Sequence, residues 1–247
     1  MRLSLLLFLF SMFAFSQNLK KVNIEYDVLH RGIINREFLS YSNNEIISFS
    51  SPYSAEEIKG YDENDNLHIR RSAELPQISF FKKVSNDTVV IKYHLSKEIF
   101  ALDKTPHISW SIDKNTTKNI GGFICHYATA KFRGSDVYAF FTTDIPISLG
   151  PWKFNGLPGA ILECGSTDLL NVWKAIKISL KDDPLIEREF IWDKQAMPYQ
   201  TLVKNEQKKI AEYVKRQQTK LPKGYESGRR TSKINRLGIE QVYEWEW

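Results

Sequence analysis

Phe123-Ile124-Cys125-His126-Tyr127-Ala128-Thr129-Ala130-Lys131-Phe132, followed by Arg133-Gly134-Ser135-Asp136 and then Val137-Tyr138-Ala139-Phe140-Phe141-Thr142, decides the fold. Two runs rich in aromatic and β-branched residues flank a short polar segment that contains a glycine. That pattern predicts a β-hairpin. Upstream, Val22, Ile24, Tyr26 and Val28 alternate with Asn23, Glu25 and Asp27, the period of a half-buried strand. Phe38–Tyr41 and Ile46–Phe49 flank Asn43-Asn44 and read as a second hairpin. Residues 51–75 are rich in Ser, Glu, Asp and Asn and read as loop. Further strands are predicted over Ile78–Lys83, Thr88–Tyr93, Glu98–Leu102 and Ile108–Ile112, with Asn86-Asp87 and Pro106 as breakers between them.

Downstream of the hairpin, Gly150-Pro151-Trp152-Lys153-Phe154-Asn155-Gly156-Leu157-Pro158-Gly159 forbids a regular helix or central strand. Ala160–Glu163 resumes a strand, and Val172–Leu180 alternates again. A single segment, Lys204–Gln218, has helical character, with Ile210, Tyr213 and Val214 spaced three and four apart among good helix formers. The expected fold is therefore mainly β, an antiparallel curved sheet or half-barrel with one C-terminal helix. Residues 17–216 are expected to form one domain. Residues 217–247 read as a basic tail, with Arg229, Arg230, Lys233 and Arg236, that ends in a strand presenting Ile239, Gln241, Tyr243, Trp245 and Trp247 on one face.

The first residues are expected to form a signal peptide. Arg2 precedes the apolar run Leu5–Phe15, and Ala14-Phe15-Ser16 offers small residues for cleavage before Gln17. The run is too short to span a bilayer, which takes roughly 20 residues. No cysteine lies at the cut, so a lipid anchor there is excluded. The mature chain is expected in the periplasm or outside the cell, touching the membrane only during export. Its composition, 42% hydrophobic and 26% charged, is that of a globular chain and excludes disorder. The net charge of +5 is spread among interleaved acids and bases, so no nucleic-acid groove is expected.

An oxidising compartment raises the question of a disulfide between Cys125 and Cys164. Both sit in strand-like runs. A bridge between neighbouring strands and two separately buried thiols are both open, because distance decides and the sequence does not measure it.

Chemistry is harder to find. Cys125 and His126 are adjacent and point to opposite faces of a strand, so they are not a nucleophile and its base. Gly-x-Ser-x-Gly and phosphate-cradling glycine loops are absent. The histidines His30, His68, His94, His107 and His126 lack zinc-site spacing. Asp62–Asn66 imitates the start of a calcium loop, then fails at Leu67 and Ala73. Asp182-Asp183 precedes Pro184 and reads as a turn. No metal, cofactor or catalytic residue is expected.

Residues 108–165 resemble the GLPGLI family, exported bacterial proteins of unknown molecular function. The resemblance rests on Trp110, Ile120-Gly121-Gly122-Phe123, Cys125, Ala128–Gly134, Thr143-Asp144-Ile145-Pro146 and Gly150–Gly159. This chain departs from the pattern at Ser135, where the family tends to have arginine, at Phe140 in place of tryptophan, and at Ala160. The family supplies no catalytic residues to transfer. Physically, Pro158-Gly159 suits a type II turn with positive φ at Gly159, while Leu157 and Phe154 can plug the core and Trp152 would cross a sheet edge. That reading makes the segment a structural corner. The rival is a ligand-binding loop, with Trp152, Lys153 and Arg133 as the contacts. The function expected is an exported binding or accessory protein of the cell envelope, holding an apolar or peptide ligand or another envelope protein. A hydrolase with an unrecognised site and a small outer-membrane β-barrel are the alternatives.

Overall fold

The computed structural model describes residues 21–52, 77–84, 87–94, 98–181, 195–218, 236 and 238–246. The expected signal peptide, the loop beyond Pro52, His68, Asp182-Asp183 and most of the basic tail lie outside the described residues.

The strands β1 (Lys21–His30), β2 (Ile33–Ser42), β3 (Glu45–Pro52), β4 (Gln77–Lys83), β5 (Thr88–His94) and β6 (Ile99–Lys104) form one antiparallel meander. A second meander contains β7 (Ser111–Ile120), β8 (Phe123–Phe132), β9 (Ser135–Thr142), β10 (Ala160–Ser166) and β11 (Asn171–Ser179). Pairing of β1 with β11 joins the two into a 12-stranded sheet, completed by the short parallel strand β12 (Met197–Pro198) beside β6. One helix, α1 (Tyr199–Gln218), follows directly. The mainly β expectation holds.

Tight turns set the register of four hairpins. Arg31-Gly32 (φ 48° and 84°), Asn43-Asn44 (52° and 66°), Gly121-Gly122 (60° and 90°) and Arg133-Gly134 (43° and 84°) all have positive φ at both central positions. That is the type I′ turn, whose twist matches the strands it joins. The Arg133 turn is tighter than the sequence suggests, since Ser135 and Asp136 already pair with Phe132 and Lys131.

Connectivity forces the sheet to curl. β6 and β7 lie ten positions apart in the sheet order, about 48 Å if the sheet were flat. The residues 105–110 that connect them reach only about 25 Å. The two margins must therefore approach each other around a concave face. Val22, Ile24, Tyr26, Leu39, Ile46, Phe132, Phe141, Leu162 and Cys164 are buried in one cluster. From the 143–159 connection, Ile145, Leu149, Phe154 and Leu157 join it at 0–2% exposure. Burying each such side chain is worth about 1.5–3 kcal/mol. Phe154 and Leu157 plug the core as their sequence context predicts.

Several expectations need correction. The strand expected at Ile108–Ile112 starts at Ser111 and runs on through polar residues to Ile120, while Ile108 is buried in the connection before it. β7 is an edge strand, largely exposed, and its register breaks between Asp113 and Thr117. Polar composition and a bulge are how exposed sheet edges resist pairing with other chains.

Cys125 and Cys164 are free thiols. They lie on β8 and β10, with β9 between. Cys164 faces Ala139, which faces Ala128, three positions along from Cys125. Two strand spacings of about 4.8 Å each, with the offset along the strand, exceed the 4.4–6.8 Å Cα separation a disulfide spans.

The C-terminal end is irregular over 238–246, with a single 3-10 turn at Glu244–Glu246 in place of the expected strand. The helix is longer than predicted and buries a different face. Tyr199, Leu202 and Val203 pack on Phe80, Val89, Ile91 and Ala101, whereas Ile210 and Tyr213 are exposed.

Candidate functional site

The three sequence candidates Arg133, Trp152 and Lys153 meet at one end of the concave face. The β8–β9 turn aims Arg133 inward, and the plug connection brings Lys153 beside it. Neither cation is free for a ligand. Arg133 donates in a fork to Asp103 on β6, with both nitrogen–oxygen distances at 2.8 Å. It also donates to Glu240, and to Glu244 at 3.1 and 3.2 Å. Lys153 Nζ lies 2.8 Å from Asp103 and 2.7 Å from Glu240. Tyr199, from the first turn of α1, donates its hydroxyl to Glu240 at 2.9 Å. The side chains of Arg133 and Lys153 are 0% and 1% exposed.

Aromatic rings close this ionic cluster. The Arg133 guanidinium sits 5.0 Å from the centroid of Tyr243 and 5.7 Å from that of Trp245, and these two rings stack 4.5 Å apart. Lys153 Nζ lies 4.0 Å from the Tyr199 ring. Burial by itself would lower the Arg133 pKa and raise that of Asp103. The hydrogen bond between them, with the Glu240 and Lys153 charges, outweighs burial and keeps both ionised.

Segment 238–246 is thereby fastened to the sheet. The Arg133 carbonyl accepts from Gln241 N and Val242 N at 2.8 and 2.9 Å. Ser135, where the resembled family has arginine, donates its hydroxyl to Ile239 O at 2.6 Å.

A second buried pair pins the plug from below. Glu37 accepts from Trp152 N at 2.7 Å and from Trp173 Nε1 at 2.8 Å. Lys82 Nζ donates to Gly150 O at 2.8 Å and reaches Phe154 O at 3.4 Å. Burial pushes the Glu37 carboxyl above its ordinary range despite those hydrogen bonds. It pushes Lys82 down to about 8 from 10.5, against the pull of Glu37. Between these two values an unfolded chain still holds the lysine proton and the folded one has lost it, so this lysine by itself adds stability as pH rises. The Cys125 and Cys164 thiols and buried Tyr26 act in the opposite sense, because burial keeps their protons on in the folded chain at a pH where unfolded thiols and tyrosines ionise. In urea titrations from pH 8 to 10 the stability difference between the native chain and Lys82→Met is expected to shift by on the order of 2 kcal/mol in favour of the native chain, a comparison in which the thiol and tyrosine contributions cancel.

Trp152 is not at a sheet edge. It adopts φ 50°, and its ring stacks on Trp173 at 5.8 Å and 19°, with Phe132 edge-on at 5.7 Å. These indoles form the floor of a cleft of about 630 Å³. Tyr199, Val203 and Ile210 of α1 line one wall, and Ile239, Glu240 and Tyr243 another. The cleft shares Asn171, Arg236 and Gly238 with a polar annex of about 330 Å³.

Gly159 serves the plug differently from the sequence expectation. Positive φ falls on Gly156 (87°), not on Gly159. A Cβ on Gly159 would stand 2.0 Å from Thr142 O, so it is close backbone approach that requires glycine there.

Sequence reasoning missed Asp103, Glu240, Glu244, Tyr199 and the Glu37–Lys82 pair. The spacing of Tyr199, Leu202 and Val203, three and four apart, marked the buried helix face. His30 lies on β1, His107 in the connection between β6 and β7, and His126 on β8. Among the described residues no group of three or more His, Cys, Asp or Glu is arranged to hold a metal ion.

The fold and site define a curled antiparallel sheet, plugged by a loop and capped by a helix over an aromatic cleft. A family model described as "Protein of unknown function (Porph_ging)" matches residues 131–163, from the Arg133 turn through the plug to β10. No curated protein matches the chain. Two crystal forms of PNGF-II are similar in fold. The P21 form gives 14% identity and a TM-score of 0.54, covering 75% of this chain and 32% of that one. The C2 form gives 16% and 0.50, covering 72% and 30%. The chain thus spans about a third of the length of PNGF-II.

Proposed function

We propose that this is an exported binding or accessory protein of the cell envelope, of the GLPGLI type, which holds an apolar or peptide ligand in its aromatic cleft. The observation that carries the reading is the cleft itself. Its volume of about 630 Å³ lies within the range of small-ligand sites, and its floor is a pair of stacked indoles. Buried ion pairs hold its walls and leave the aromatic surface open. The signal peptide supports export to the periplasm or the medium.

The polarity of the sheet favours this reading over a membrane barrel. Apolar residues fill the concave face, while on the other face Glu25, Arg36 and Asp27 pair on β1 and β2 and a small apolar cluster of Ile47, Phe81 and Val90 on β3–β5 is itself buried. Outer-membrane barrels have the opposite arrangement, with lipid-facing apolar residues outside. Native mass spectrometry of protein purified from its own envelope tests the binding reading. The expected result is a chain starting at Gln17 that carries a small organic adduct, with the adduct lost in Trp152→Ala. A bare chain in every preparation would contradict it.

A further inference from the structure

One polar atom in the wall of the cleft lacks a partner, on the same face of β11 as Trp173. Asn171 is 4% exposed and lines both the cleft and its polar annex. Its Oδ1 is buried and makes no hydrogen bond among the described residues. The neighbouring bonds fix which end of the amide this is. Ser166 spends its only hydroxyl proton on Asp168, at 2.5 Å, so it can only accept from Asn171. Asn171 N and Nδ2 approach Ser166 Oγ at 3.2 and 3.4 Å. The amide nitrogen is therefore committed to Ser166, and the oxygen faces away from it, unmet. A buried acceptor of this kind is rare in folded proteins and calls for a donor.

A second acceptor lines the same cleft. Glu206 projects from α1 and makes no hydrogen bond among the described residues. Burial raises its carboxyl pKa, with Lys209 opposing, and a cation placed beside it would act with Lys209. The cations around the cleft are already engaged. Arg133 and Lys153 are bound to Asp103 and Glu240, and Arg236 is bound to Glu246 and to Gln241 O. What the cleft leaves open is thus an aromatic floor and acceptors, one of them anionic.

We propose that the cleft takes a ligand with a primary amine on an apolar or aromatic body, the amine donating to Asn171 Oδ1 and Glu206 while the body lies on Trp152 and Trp173. This rests on the binding reading above and gives it a ligand class. An apolar peptide amino terminus and a free aralkylamine share this chemistry.

Tryptophan fluorescence titration of the full mature chain tests it, with 2-phenylethylamine, ethylbenzene and 3-phenylpropionate as probes. The amine is expected to bind about tenfold more tightly than the carboxylate. Asn171→Leu and Glu206→Gln should each remove most of that advantage, whereas ethylbenzene, which has no donor to lose, should keep its affinity in both. Asn171→Leu should also keep or raise the melting temperature, since it removes an unmet acceptor. Glu206→Gln, on an exposed helix position, keeps the test decisive if Asn171→Leu folds poorly. Equal binding of all three probes, or an amine advantage untouched by both substitutions, overturns the amine assignment and leaves apolar binding standing. No binding by any probe overturns both. Phe-Gly-amide compared with its N-acetyl form separates the sources. A free-terminus peptide that outbinds 2-phenylethylamine assigns a peptide, and the reverse assigns a small amine.

Discussion

Replacement of Arg133 by methionine is expected to lower the unfolding free energy by about 3–5 kcal/mol, the cost of leaving buried carboxylates without their cation. Asp103, 1% exposed, loses both arms of its fork, and Glu240 keeps only Lys153 and the Tyr199 hydroxyl. Arg133→Lys should recover little of this, because an ammonium cannot bridge Asp103, Glu240 and Glu244 in one plane. Arg133→Met combined with Asp103→Leu should recover more, since an apolar pair replaces a buried ionic one without stranding a charge. Urea denaturation at neutral pH measures each variant. A loss below about 1 kcal/mol for Arg133→Met would place the cluster in the class of surface ion pairs and contradict its burial.

Gly159→Ala is expected to cost nearly as much as Gly159→Val, about 3 kcal/mol or more, the upper end of the overpacking range. The first carbon added is what collides, at 2.0 Å from Thr142 O and 2.7 Å from Thr142 C, and backbone on both sides has little room to yield. Gly122 provides the contrast. It has φ 90° with nothing within 4 Å of a built Cβ, so Gly122→Asn meets only the left-handed strain that asparagine tolerates. Thermal melts of these variants separate crowding from strain. Tolerance of Gly159→Ala would show that the plug does not lie against β9 as described.

Two hairpins were legible because their turns announce themselves locally: Asn43-Asn44 and Arg133-Gly134 are set between strand-like runs. Arg31-Gly32 and Gly121-Gly122 make the same kind of turn but were not read as hairpins, the latter because the strand before it is polar. β7 was misplaced for an opposite reason. An edge strand need not alternate, and the polar run from Asp113 to Asn119 reads as loop to any test based on period.

The site was legible in part. Trp152, Lys153 and Arg133 stood out by residue type and by their place beside glycines and prolines. Their partners did not. Asp103 and Glu240 are separated by more than a hundred residues and meet only because the sheet curls, a property of topology that no local window contains. The buried thiols show the same limit. Cys125 and Cys164 have strand context and compartment in favour of a bridge, and one intervening strand prevents it.

The account depends most on the C-terminal segment forming a fixed wall of the cleft, held on the Arg133 turn. Amide hydrogen exchange at Gln241 and Val242 tests this directly, because both donate to the Arg133 carbonyl. The expected result is protection comparable to that of the β8–β9 hairpin in the native chain, and much faster exchange at both amides in Glu240→Gln. Exchange of Gln241 and Val242 at the rate of an unstructured peptide in the unmodified protein would contradict the account.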